Sequence, residues 1–118
     1  TMGDGSDTRN RREPGNDWIV VQLGTTGTID EIEIDTAHFK GNFPDMCSIQ
    51  AAVAEKGFDL NLAEKWKEIL PKQKLSADAI HTFSSEIIKD FGPVNAIRLN
   101  IYPDGGVSRL RVLGRVEL

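Results

Sequence analysis

The run Arg98-Leu-Asn-Ile-Tyr-Pro-Asp-Gly-Gly-Val-Ser-Arg-Leu-Arg-Val-Leu-Gly114 limits the possible folds more than any other part of the chain. With Ile97 before it, Leu99 and Ile101 mark one face of an extended segment, while Arg98, Asn100 and Tyr102 mark the other. This period of two is that of a half-buried strand. Pro103-Asp104-Gly105-Gly106 then interrupts the pattern, because proline presets φ for a turn and glycine reaches positive φ without strain. Val107 to Leu113 can fold back as a second strand. The run therefore predicts a β-hairpin whose polar face carries Asn100, Tyr102, Asp104, Arg109 and Arg111.

A chain of 118 residues fits one domain with a single core. No stretch reaches the roughly 20 consecutive apolar residues that a bilayer-crossing helix needs. The net charge of -4 argues against sequence-independent nucleic-acid binding, which calls for a basic stripe. Arg9, Arg11 and Arg12 are the only basic cluster, and Asp4, Asp7 and Glu13 offset them. They read as a solvated loop or, alternatively, an anion clamp. The lone Cys47 cannot form an internal disulfide, and Thr1 to Asp7 lacks the apolar segment of a secretory signal, so the cytoplasm is the default compartment.

Residues 1–17 show no apolar periodicity and are expected as a polar loop or arm, followed by a single β domain over 18–118. Trp18 to Gly24 is a β-branched apolar run suited to a strand buried on both faces, and Thr25 to Thr28 reads as its turn. Glu31-Ile-Glu-Ile-Asp35 alternates as a strand with one wet face. His38 to Asp45 is loop-like and leads to a strand from Cys47 to Val53. Leu62, Trp66 and Ile69 recur at helical spacing, yet Gly57 precedes them and Pro71 stops them, so helix and non-helix both remain open. Ser76 to Phe83 suits either a helix start or a short strand around Ile80 and Thr82, ended by Gly92-Pro93. At least five β segments with local spacing favour an antiparallel sandwich or barrel over a parallel α/β sheet.

Several side chains could carry chemistry. Asp35 and His38 lie three apart where a wet-faced strand leaves the sheet, a placement that lets a carboxylate orient an imidazole for proton transfer. The plainer alternative is a strand-end aspartate beside a surface histidine. Asp35, His38 and Asp45 have ligand character, but no spacing of a known metal motif supports a metal. Arg109 and Arg111 leave one face of a strand and suit a planar carboxylate, or else pair with acidic residues across the sheet. Asn42 and Asn100 offer amide groups for a ureido, amide or sugar partner, although loop asparagines often bond their own backbone. Cys47 opens an apolar run and has no adjacent base in sequence, so it reads as a buried thiol in preference to the alternative, a nucleophile. No phosphate-binding glycine loop, nucleophile elbow or dinucleotide fingerprint is present.

Four segments, in order, resemble the second repeat of the allantoicase family. They are Gly15-Asn-Asp-Trp-Ile-Val-Val-Gln-Leu-Gly24, Asp35-Thr-Ala-His-Phe-Lys-Gly-Asn-Phe-Pro-Asp45, Ile69-Leu-Pro-Lys-Gln-Lys-Leu75 and Val94 through Gly114. Met2-Gly-Asp-Gly-Ser-Asp-Thr-Arg9 is similar to a further family segment, with Ser6 and Asp7 where the family has Trp and Glu. The resemblance implies a galactose-binding, discoidin-like jelly-roll β-sandwich of antiparallel sheets. It also implies hydrolysis of allantoate to ureidoglycolate and urea, with no cofactor, in a homo-oligomer or against a homologous repeat. By that resemblance Arg109, Arg111 or Arg11 would meet the substrate carboxylate, Asn42, Asn100 and Asp104 the ureido groups, and Asp35 and His38 the protons. The competing expectation is a non-catalytic sandwich module that binds a small polar ligand or a partner chain.

Overall fold

The computed structural model describes residues 7–13, 16–39, 41, 43–53, 66–103 and 105–116. Seven strands follow in order: β1 (Asp7–Glu13), β2 (Asn16–Asp35), β3 (Met46–Ala52), β4 (Lys67–Lys74), β5 (Ile80–Phe83), β6 (Val94–Tyr102) and β7 (Arg109–Val116). All pairings are antiparallel.

The organising element is β2, a strand of 20 residues. Its first half pairs with β1 and β6, and its second half pairs with β5 and β7. The exchange of partners falls at Gly27, which is opposite both Val94 of β6 and Val116 of β7, after a register shift between Gln22 and Gly27. The path β1-β2-β6-β3-β4 forms one layer, and the second half of β2 carries β5 and β7 into the other. Thr25 to Thr28, expected as a turn, instead runs through as strand. Turn-prone composition here marks an irregularity that lets one strand change sheets.

Two other expectations change. The 98–113 run is strand, turn and strand, but β6 and β7 do not pair with each other; each lies on a different half of β2. The turn residues therefore carry the chain from one layer to the other rather than closing a hairpin. Residues 7–13, expected within an arm, form β1, an edge strand that pairs through its backbone with Asn16 to Gln22 and so needs no apolar face. Ile69, one of the helix-spaced residues, belongs to β4, while Leu62 and Gly57 lie outside the described residues.

The core is one cluster drawn from both layers. Ile97, Leu99 and Ile101 of β6 join Cys47, Ile49 and Ala51 of β3 and Leu70 of β4, against Ile32, Ile34, Val112 and Phe83 from the other layer. Trp18 and Val20 are buried as well, at 5% and 0% exposure, but outside this cluster. From Ile97 to Ile101, alternation along β6 thus delivers the odd-numbered side chains to the core, as the sequence predicts.

Cys47 is fully buried, and desolvation pushes its thiol from the ordinary 9.0 up to about 12. The folded chain keeps this proton where the unfolded chain loses it. Stability is thus lost as pH rises from 9.0 toward 12, at up to about 1.4 kcal/mol per pH unit. Urea denaturation of the wild type and of Cys47→Ala should show their stability difference narrowing by about 2 kcal/mol between pH 8 and pH 10.5. A pH-independent difference would contradict the burial.

Candidate functional site

Three loops meet at the end of the sandwich where β2 stops. Asp35, the last residue of β2, accepts the Ala37 N–H on Oδ1 at 2.7 Å and so turns the chain out of the strand. Thr36 is completely buried; its N–H donates to the Ala79 carbonyl (2.9 Å), and its hydroxyl donates to the Ser76 carbonyl (2.7 Å) and accepts the Ala79 N–H (3.1 Å). His38 follows in the left-handed region at φ 73, exposed, with its N–H donating to Asp78 Oδ1 at 2.8 Å. Asp78 is itself left-handed, at φ 46, and its N–H returns a bond to the Phe39 carbonyl at 3.2 Å.

The 103–108 connection closes this end. Both the N–H and the hydroxyl of Ser108 donate to the Asp35 carbonyl, at 2.8 and 2.9 Å. Gly105, at φ 136, has no room for a side chain, since a Cβ there would come within 2.6 Å of the Phe43 and Pro44 backbone. A cleft of about 260 Å³ opens beside this junction, lined by Trp18, Phe39, Leu99, Ile101, Gly106 and Val107.

The candidate residues separate clearly. Asp35 and Arg109 are Cα partners across β2 and β7, and Glu33 and Arg111 are the next such pair. Arg111 is occupied by Glu33, at 3.5 Å, which is the cross-strand ion pair weighed above. Arg109 is exposed and makes no ion pair or hydrogen bond among the described residues, so it is the free guanidinium beside the loops. No hydrogen bond joins the Asp35 carboxylate to the His38 imidazole; the aspartate shapes the loop instead. The Glu33–Arg111 pair is partly exposed, and Glu33→Gln is expected to change stability by less than about 1 kcal/mol in thermal denaturation.

Asn100 lies elsewhere, on the face of β6 away from the core cluster. It is 4% exposed and its amide is fully engaged: Oδ1 accepts from Arg98 Nε (3.0 Å), and Nδ2 donates to Gln50 Oε1 (3.1 Å) and Ser48 Oγ (3.4 Å). Ser48 is in turn bonded to the Tyr102 hydroxyl, Arg98 stacks 4.4 Å over the Trp18 ring, and Lys72 lies 4.3 Å over Tyr102. Register places Arg11 of β1 opposite Trp18, which is opposite Asn100, so Arg11 shares a rung with this network. Asn42 and Asp104 lie outside the described residues.

Sequence reasoning missed His81. It sits on β5 opposite Ile34; its Nε2 accepts the Ser76 N–H at 2.8 Å, so Nδ1 carries the proton donated to the Ile34 carbonyl at 3.0 Å. With both nitrogens spent it pins the 75–79 loop to β2. No motif in the sequence signals this, since the partners lie 5 and 47 residues away. Among the described residues no three His, Cys, Asp or Glu side chains gather in a way that could hold a metal ion. Nor is any helix there long and apolar enough to cross a membrane.

Two antiparallel layers, a long strand shared between them and loops gathered at one end define a galactose-binding-like, jelly-roll β-sandwich. The fold is similar to a chitosan-binding module of a chitosanase/glucanase from Paenibacillus sp., with TM-score 0.62 over 95% of this chain and 80% of that one at 14% identity. The model of the allantoicase repeat matches residues 1–117, and the chain belongs to the allantoicase family. A probable allantoicase of Pseudomonas fluorescens is 56% identical over 98% of this chain and 36% of its own length. The crystal structure of allantoicase from Saccharomyces cerevisiae superposes with TM-score 0.70 and 35% identity, covering 96% of this chain and 31% of that one. The chain thus spans about a third of the length of the curated relatives it matches.

Proposed function

We propose that this chain takes part in hydrolysing allantoate to ureidoglycolate and urea, with its site at the loop end of the sandwich. Membership of the allantoicase family supports the reaction. The observation that carries the site is an exposed His38 three residues past Asp35 and an exposed Arg109, the β7 residue opposite Asp35, free of ion pairs among the described residues.

The substrate has a central carbon bearing a carboxylate and two ureido groups. Arg109 offers forked donors to the two carboxylate oxygens, a geometry that lysine cannot reproduce. Water adds its oxygen to the central carbon as the C–N bond to one ureido group breaks. His38 takes the proton released from that water and returns it to the departing nitrogen, so urea leaves neutral. Asp35 holds the loop that presents His38. Asn42 and Asp104 are assigned to the ureido groups; Asn100, Arg11 and Arg111 are assigned to the support of the surrounding sheet faces.

Incubating the folded 118-residue chain with allantoate should release urea and ureidoglycolate in equal amounts, in buffer with and without chelator. A chain with intact β-sheet circular dichroism and no urea release at any concentration would refute the proposal for this chain on its own.

A further inference from the structure

We infer that Asp78 is a positioning residue for His38, an assignment that rests on the proposed role of His38 in proton transfer. The two residues are 40 apart in sequence and meet through a single backbone-to-carboxylate bond, His38 N–H to Asp78 Oδ1 at 2.8 Å. Histidine pays a conformational penalty at φ 73, because its Cβ crowds the carbonyl there. Such a conformation persists only where the surroundings impose it, and the carboxylate supplies the local restraint. Asp78 is held in turn at φ 46, where aspartate is among the few tolerated side chains, and its own N–H bonds the Phe39 carbonyl at 3.2 Å. His38 and Asp78 therefore form a reciprocal clasp across the 36–39 and 76–79 segments.

Thr36 already welds these segments together, through one backbone and three hydroxyl hydrogen bonds to Ser76 and Ala79. The clasp is thus dispensable for joining the loops, and what it specifies is the backbone angle of His38. That angle decides where the imidazole stands relative to Arg109, which enters the same end of the sandwich opposite Asp35. A proton-transfer group displaced by an ångström loses much of its effect. Asp78 acts through His38 and need not touch substrate.

The test uses Asp78→Gly, which removes the acceptor without adding strain at φ 46, and Asp78→Asn, which keeps an acceptor oxygen and tolerates that angle. In the allantoate assay Asp78→Gly should lower kcat by about 10- to 100-fold with KM within about 2-fold, and Asp78→Asn should stay within about 3-fold of wild type. Combined with His38→Asn, Asp78→Gly should cause no further loss, since both act through one group. Amide hydrogen exchange at His38 should quicken at least about 10-fold in Asp78→Gly and not in Asp78→Asn. Wild-type kcat or unchanged His38 exchange in Asp78→Gly, with His38→Asn inactive, overturns the assignment and leaves the role of His38 standing. Additive losses in the double variant overturn it likewise. Full activity of His38→Asn, or no turnover by the unsubstituted chain, overturns the role of His38 and the assignment with it.

Discussion

Gly114→Ala should lower the thermal midpoint by roughly 10–15 °C, the equivalent of about 3 kcal/mol, and is expected to be among the most damaging single-methyl additions in the chain. A Cβ at this position of β7 would lie 1.9 Å from the Thr28 carbonyl oxygen and 2.9 Å from its carbon. Those are backbone atoms of the facing strand, so no side chain can swing aside. The strands must separate, and the β2–β7 ladder opens beside its register shift between Ile29 and Glu31. Gly27 has the mirror-image problem, with a built Cβ 2.3 Å from the Arg115 carbonyl oxygen. The two glycines let the backbones approach where β2 passes from one layer to the other. Gly41→Ala is the control: nothing lies within 4 Å of its built Cβ, and its midpoint should stay within about 0.5 kcal/mol of wild type. Equal midpoints for Gly114→Ala and Gly41→Ala in a calorimetric scan would show that the ladder tolerates separation.

His38→Asn should reduce turnover of allantoate by about 100-fold or more while leaving the fold intact, because loss of a positioned proton-transfer group typically costs factors of that size. Asparagine suits the left-handed backbone at φ 73, so the substitution removes the imidazole without the extra strain alanine would suffer. His38 is exposed, and its amide bond to Asp78 survives, which is why stability should change by less than about 1 kcal/mol. Arg109→Lys provides the complementary reading: replacing the fork by a point charge should raise KM by about 10-fold or more with a smaller effect on kcat. Urea release measured over a range of allantoate concentrations separates the two. Wild-type kcat in His38→Asn would remove it from the chemistry, and an unchanged KM in Arg109→Lys would remove the carboxylate clamp.

Much of the layering was legible because burial follows simple alternation. Ile97, Leu99 and Ile101, like Ile32 and Ile34, could be placed inward from their spacing alone. What spacing cannot carry is the choice of partner. Thr25-Thr-Gly-Thr28 has turn composition, and only the two pairings of Gly27 reveal a strand that continues. Pro103 to Gly106 does redirect the chain, but a local turn signal says nothing about which strand receives the next segment. β1 was hidden because an edge strand satisfied by backbone bonds needs no apolar pattern. For the candidate site, the sequence offers residue types and the structure supplies their arrangement. Arg109 and Arg111 look equivalent in sequence, and register alone gives Glu33 to one and leaves the other open. Asn100 looked free in mid-strand, yet Ser48 and Gln50, some fifty residues away, consume its amide.

Because β2 pairs with four of the other six described strands, neither layer has an independent existence. Most close contacts join residues distant in sequence, so little native structure can be gained until β2 has found partners on both sides of Gly27. Folding of this topology is therefore expected to be slow, on the order of the milliseconds to seconds of all-β sandwiches, which stopped-flow refolding would measure. The proposed chemistry depends on the same strand: the loop carrying His38 leaves the end of β2, and Arg109 is brought beside that end only by the β2–β7 pairing.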